Sequence, residues 1–271
     1  MSDIVLSSGV RSNLLQLQQT SDLITQTQTR LATGKRVNSA LDNAINFFTA
    51  QGLSVRANDL SSLLDSMTNG INTIQAANNG ITSITKLVQS AQSLVSQAQQ
   101  TSDTNVRATL SSQFNALLGQ IDQLATDSGF NGINLLNGND LTITLNETGQ
   151  STVNVSAVND TVAGDLAISN SANSWAGAAD IATSATQLTA ALVTLRSQSQ
   201  SLSSNLQIVQ IRQDFTKAMI NTLNTGSDQL TLADSNEEGA NLLALQTRQQ
   251  LSTTALSLAA QADQNVLKLF Q

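Results

Sequence analysis

Residues 178–232 read AADIATSATQLTAALVTLRSQSQSLSSNLQIVQIRQDFTKAMINTLNTGSDQLTL, and the spacing of their apolar side chains decides the fold. Those side chains recur at alternating steps of four and three: Ile181, Ala185, Leu188, Leu192, Leu195, Leu202, Leu206, Val209, Ile220, Leu223 and Leu230. Ser199, Gln213, Thr216 and Ser227 keep the same register with small or polar groups. This is the heptad seam of a helix packed along a partner helix. Neither Gly nor Pro interrupts residues 178–225, so nothing local stops the helix. At 1.5 Å per residue the run makes a rod of about 70 Å, which needs a partner of similar length.

A second seam lies earlier: Met67, Ile71, Ile74, Ala77, Ile81, Ile84, Val88, Ala91, Val95 and Ala98, led by a weaker apolar segment of Ile45, Phe47, Phe48 and Leu53. Asn69-Gly70 and Asn79-Gly80 sit inside it, and by turn chemistry alone they would break it. The apolar spacing runs through both pairs, so the helix is expected to continue. A polar turn over 101–105 precedes Val106, Leu110, Phe114, Leu117, Ile121 and Leu124, a third helix returning antiparallel. The period then changes from near 3.5 to 2. Leu141, Ile143 and Leu145 alternate with Thr, Val153 and Val155 alternate with polar residues, and Asn137-Gly138 and Gly149 supply turns, which predicts a small β-hairpin region over 133–170. Trp175 is the only Trp and is placed to anchor the junction between hairpin and helix.

Low-charge helices stand at both ends of the chain. The first, over 1–34, carries Leu6, Val10, Leu14, Leu17, Ile24 and Leu31 on one face. The last, over 240–270, carries Ala244, Leu251, Ala255, Leu258, Ala262 and Leu269. Such helices are marginal alone and need a partner. The 67–98 seam is the best partner for the opening helix by length and spacing, and an antiparallel fold-back also sets the first and last helices side by side. Gly34 is expected to end the opening helix, and Asn38 or Ser39 to cap the second one. Glu237 and Glu238 are placed to begin the last one. The fold class is therefore mainly α: an antiparallel long-helix coiled-coil bundle with a small β-hairpin region at mid-chain.

Composition narrows the function. There is no His, Cys, Pro or Tyr, and charged residues are 11%, roughly half the usual share. Without His or Cys the commonest acid–base, nucleophilic and thiolate-ligand groups are missing, so no catalytic residue, cofactor or metal is expected. The Gly residues make no phosphate-binding pattern. No apolar run is long enough to span a membrane. The opening Met-Ser-Asp-Ile-Val-Leu lacks the features of a cleaved secretory signal, which points to a cytosolic protein or to export by another route. The net charge of −7 is uneven: no Lys or Arg lies between Arg107 and Arg196, where seven of the 19 acids fall, so the remaining 12 acids balance the 12 basic residues elsewhere. Near-neutral ends suit packing and an acidic middle suits water, while the basic patch of a nucleic-acid binder is missing.

Three stretches carry a family resemblance. Arg30-Leu-Ala-Thr-Gly-Lys-Arg-Val-Asn-Ser-Ala-Leu-Asp-Asn-Ala resembles the signature that bacterial flagellins carry after their first helix. Phe130-Asn-Gly-Ile-Asn-Leu-Leu-Asn-Gly is similar to that family's "FNG-x-x-LL-x-G", and Glu238-Gly-Ala-Asn-Leu to Gln264-Asn-Val-Leu-Lys-Leu-Phe is similar to its C-terminal ending. The resemblance covers nearly the whole chain. It implies a filament subunit whose terminal helices (1–40 and 236–271) form an inner tube. The long helices (41–132 and 178–235) would form a surrounding shell, and 133–177 an outer surface. It also implies unfolded export through a type III channel and assembly with further copies or other flagellins. Hook-junction and cap proteins would be partners, as would an export chaperone on the C-terminal helix. Many flagellins carry a charged R-x-R-E-L-type stretch read by an animal innate receptor; the matching place here is Ser90-Ala91-Gln92-Ser93-Leu94, uncharged, so weak recognition is expected. A hook–filament junction protein of the same architecture is the main alternative, and an unrelated cytosolic coiled-coil scaffold a further one.

Overall fold

The computed structural model describes residues 8–269, apart from a few side chains near the C-terminal end. Its elements are α1 (Ser8–Thr33), α2 (Ala44–Gln100), α3 (Thr104–Asp127), β1 (Leu141–Thr144), β2 (Thr152–Val155), α4 (Ala178–Thr231) and α5 (Ser235–Leu269), with a short 3-10 turn at Ala172–Trp175. They fall into two compact units, one built from residues up to 55 together with those from 222 on, the other from 56–221.

The larger unit holds the main core. Met67, Ile71, Ile74, Ile81, Ile84, Val88 and Val95 of α2 are buried, as are Leu188, Leu195, Leu202 and Val209 of α4; Leu192 and Leu206 are half-buried and pack against them. α3 adds Leu110, Phe114, Leu118 and Ile121. Burial in α4 recurs at 181, 184, 188, 191, 195, 202 and 209, the alternating three–four spacing of a coiled-coil seam. Polar residues in that register pair across it: Ser199 Oγ donates to Asn78 Oδ1 at 2.8 Å, and Gln213 Nε2 to Thr68 Oγ1 at 3.0 Å. Asp103 caps α3, accepting from the backbone of Asn105 and Val106. Arg107 Nε donates to the Ala98 and Thr101 carbonyls at 3.2 and 2.8 Å, satisfying groups left open where α2 ends.

The two strands form one antiparallel pair with Leu141 opposite Val155 and Ile143 opposite Val153. Leu141, Ile143 and Val155 are buried against the helices. Here the two Asn-Gly pairs of α2 find their reason. A Cβ at Gly70 would strike the Ile143 side chain, and one at Gly80 would strike Ser128 and Leu136. These glycines lie inside an unbroken helix and let the β-region sit close on it. Asn134 closes the end of α3, its Nδ2 donating to the Ala125 and Thr126 carbonyls at 2.8 Å each while its Oδ1 accepts from Leu136 N at 2.9 Å. Trp175 is fully buried, its ring centroid 5.0 Å from that of Phe114, and its Nε1 donates to Ser184 Oγ at 3.1 Å. It ends a left-handed run: Asn173, Ser174 and Trp175 have φ of 48°, 50° and 59°. Three successive non-glycine residues in this region cost energy, and burial of the indole offsets it.

In the smaller unit α1 packs along α5. Arg30 Nη1 meets Glu238 Oε1 at 3.1 Å, placing the end of α1 beside the start of α5, so the pair is antiparallel. This corrects the reading that gave the opening helix to the 67–98 seam: that seam is filled by α3, α4 and the β-region. Length and spacing do not distinguish one apolar stripe from another; the connection does. Gly34, at φ 67°, turns the chain after α1, Arg36 N and Val37 N donate to the Thr231 carbonyl at 2.7 and 3.2 Å, and Ala233 N returns a bond to the Gly34 carbonyl at 3.0 Å. These bonds bring the start of α5 to α1. The capping expectation is corrected too. Asn38 and Ser39 belong to a turn in which both their N–H groups donate to Asp42 Oδ2 at 2.9 Å, holding that carboxyl below the ordinary carboxylate range. Asn43 caps α2, accepting from Asn46 N at 3.0 Å.

Candidate self-association surface

The α1–α5 pair has two kinds of face. On α1, Val10, Thr20 and Thr27 are buried and Asn13, Leu17, Ile24 and Leu31 half-buried, again at three–four spacing; this is the seam toward α5. On α5 the corresponding set is Glu238, Leu242, Leu245, Gln249, Ser252, Leu256 and Ala259. Much of the seam is polar, so the pair is only lightly greased inside. The opposite side of α5 is more apolar. Leu243, Leu251 and Leu258 are 67%, 66% and 61% exposed, with Ala255 and Ala262 exposed beside them. On α1, Leu14, Leu15 and Leu23 are also exposed.

The structure thus sorts the terminal residues singled out by sequence. Val10, Leu17, Ile24 and Leu31 face the chain's own α5. Leu14, Leu251, Ala255, Leu258 and Ala262 face outward. Leu6 and the side chain of Leu269 lie outside the described residues. Sequence reasoning missed Leu243 and Leu245, one on each side of α5. The signal that separates the two sides is the seven-residue repeat of α1 itself: 10, 17, 24 and 31 fix its seam, and the Arg30–Glu238 pair then fixes the phase of α5.

The groove on the α1–α5 pair is lined by Leu23, Gln26, Thr27, Arg30, Glu238, Asn241, Leu245 and Arg248, and its one close ion pair is the Arg30–Glu238 contact already described. Among the described residues no group of three or more Asp, Glu, His or Cys could hold a metal, and no helix is long and apolar enough to cross a membrane.

A long-helix protein whose first and last helices pair and leave apolar stripes open has the form expected of a self-assembling structural subunit. Comparison with known proteins gives the family. Residues 8–140 match the bacterial flagellin N-terminal helical region. The chain is 32% identical over 280 residues to flagellin FljK of Caulobacter vibrioides, covering 100% of this chain and 99% of that one. It is 26% identical over 282 residues to a flagellin of Brucella melitensis, with both chains covered fully. The crystal structure of Bacillus cereus flagellin aligns at 21% identity with a TM-score of 0.45, covering 59% of this chain and 88% of that one. The chain belongs to the bacterial flagellin family, and it is a structural subunit of the flagellar filament.

Proposed function

We propose that this flagellin polymerises by burying the outward stripes of α5 and α1 against further copies, so that residues 1–40 and 236–271 line an inner tube, 41–132 and 178–235 form the shell around it, and 133–177 face outward. The observation that carries this is the row Leu243, Leu251 and Leu258, left exposed on one side of a helix whose other side is already occupied by α1. Burial of a leucine of this exposure is worth on the order of 1–2 kcal/mol. A charge-poor surface of this kind exposes its apolar rows to water until other copies cover them.

Secretion follows the same logic. The chain carries no Pro, so no slow prolyl isomerisation delays folding after passage unfolded through a type III channel. Before export, α5 with its open stripe is the segment for a chaperone to cover; at the filament ends the same stripe meets hook-junction and cap proteins. The polar pairs across the α2–α4 seam, Ser199–Asn78 and Gln213–Thr68, together with buried Thr216, allow two packings of similar energy and hence a change of filament shape. Innate-receptor recognition is weak, because Ser90 and Leu94 of α2 meet Gln113, Leu117 and Gln120 of α3 in a groove lined without charge.

The test is polymerisation of purified protein on short filament seeds, viewed by electron microscopy, beside a chain lacking 1–40 and 236–271. Tubes from the full chain and none from the truncated one are expected; the same tubes from both would overturn the proposal.

A further inference from the structure

Buried polar atoms in folded proteins nearly always find partners. Among the described residues four buried side-chain atoms have none: Arg30 Nε, both carboxyl oxygens of Asp160, and Gln198 Oε1. The last three belong to one place. Asp160 lies in the loop after β2 and is fully buried. Its backbone N–H donates to the Leu136 carbonyl at 2.9 Å, fixing the residue under the loop. Gln198 of α4 is a close neighbour of that carboxyl, its side-chain amide acting on it although no hydrogen bond closes between them.

The charges around it offer no relief. Asp165, from the same loop, is a like charge, with its Oδ2 accepting from Asn159 N at 2.9 Å. Asp122 of α3 accepts from Val162 N at 2.7 Å. Arg196, two residues before Gln198, lines a groove between α2 and α4 together with Lys86. No close ion pair among the described residues includes Asp160.

An ionised carboxylate only accepts, and so does the amide oxygen, which leaves three acceptors and too few donors. One proton changes the count. A carboxylic acid and a primary amide close two hydrogen bonds face to face, the acid O–H donating to Oε1 and Nε2–H donating to the other acid oxygen. That single arrangement satisfies all three orphaned oxygens. We propose that Asp160 and Gln198 form a proton-operated latch that seats the loop over 156–168 on α4, closed as an acid–amide pair in mildly acidic medium and loosened when Asp160 ionises.

Burial raises the Asp160 carboxyl from its ordinary 3.8 to about 6, outweighing the Gln198 amide N–H, which favours the ionised form, while Asp165 adds a smaller push upward. The closed loop therefore binds a proton that the open loop releases, and closure strengthens as the pH falls from above 6 toward 4. This is opposite to Asp42, whose lowered value makes its turn weaker in acid. The two values give an opening equilibrium about tenfold smaller at pH 5 than at pH 7.5.

The experiment is amide hydrogen exchange on the full-length protein at pH 5 and 7.5, corrected for the intrinsic pH dependence of exchange. The readout is the amides of Val158, Asp160 and Ile168, which donate within this region. Wild type should gain about tenfold protection at pH 5, and Asp160→Asn, able to form an amide–amide pair, should be protected alike at both values. Unchanged protection in wild type, or the same pH dependence in Asp160→Asn, would overturn the latch. Should the variant not fold, carboxyl-carbon NMR of the wild-type protein decides: a midpoint near 6 supports the latch, and one below about 4.5 refutes it.

Discussion

Replacing both Leu251 and Leu258 by Ser separates assembly from folding. Each is more than 60% exposed in the protomer, so neither substitution removes much packing there, and a change in protomer stability within about 0.5 kcal/mol is expected. In the filament each leucine buried against a neighbouring copy contributes about 1.5 kcal/mol, and the pair about 3 kcal/mol. Since 1.4 kcal/mol is a factor of ten, the critical concentration for growth on seeds should rise about 100-fold. The assay is sedimentation of seeded mixtures across a concentration series, with thermal unfolding followed by circular dichroism as the control for folding. Leu245→Ser is the companion variant. Leu245 is half-buried on the α1 side of α5, so its loss should lower protomer stability as well as assembly. A double variant that grows at a critical concentration within about threefold of wild type would refute the reasoning, because the outward stripe would then not be the surface that copies bury.

Other expectations concern the larger unit. Gly80→Ala should lower the melting temperature although Ala favours helix, because overpacking against Ser128 and Leu136 costs about 1–3 kcal/mol; Gly119→Ala in α3, where a Cβ meets nothing, should raise it, with a stability gain of up to about 1 kcal/mol. Differential scanning calorimetry of the two variants checks both signs. Asn134→Ala should destabilise by about 2 kcal/mol in urea titrations, since it strips partners from the Ala125, Thr126 and Leu136 backbone groups at once. Purified protein should give little or no signal in an innate-receptor reporter assay, and a strong response would show that charge at Ser90–Leu94 is not what recognition needs. Substitutions at Ser199, Gln213 and Thr216 should alter filament shape in electron micrographs; a series that never does so removes these polar layers from the switching mechanism.

The long seams were readable because burial along a coiled coil is periodic. Apart from Ile220, every apolar α2 and α4 residue named from spacing in the larger unit is buried or packs on the core. The β-region was readable for the same reason with a different period, but the register that sets Leu141 opposite Val155 was not, because alternation fixes only the face each residue takes. What spacing does not carry is information about distance. Asn69-Gly70 and Asn79-Gly80 read as turn signals because Gly is judged by its own backbone, whereas here it answers to Ile143, Ser128 and Leu136 some 50 or more residues on. The partner of α1 depended on backbone bonds between Gly34–Val37 and Thr231–Ala233, which leave no periodic mark. On α5 nearly every position is small, polar or leucine, so two stripes of similar character compete, and only contact with α1 tells them apart. The left-handed turn before α4 had no signal either, because Asn173 and Ser174 are ordinary residues held there by the burial of Trp175.

The link between the two strands has a practical side. Leu145 N donates to the Ser151 carbonyl at 2.8 Å, so the ends of the segment 146–150 are clamped together, and Glu147, Thr148, Gly149 and Gln150 are all exposed. A loop closed at its base tolerates added length at small entropic cost. Foreign peptides spliced between Thr148 and Gly149 would hang from a clasp that does not depend on what it carries, and with 133–177 facing outward as proposed each polymerised copy would present one, making this chain a ready carrier for dense, regularly spaced epitopes.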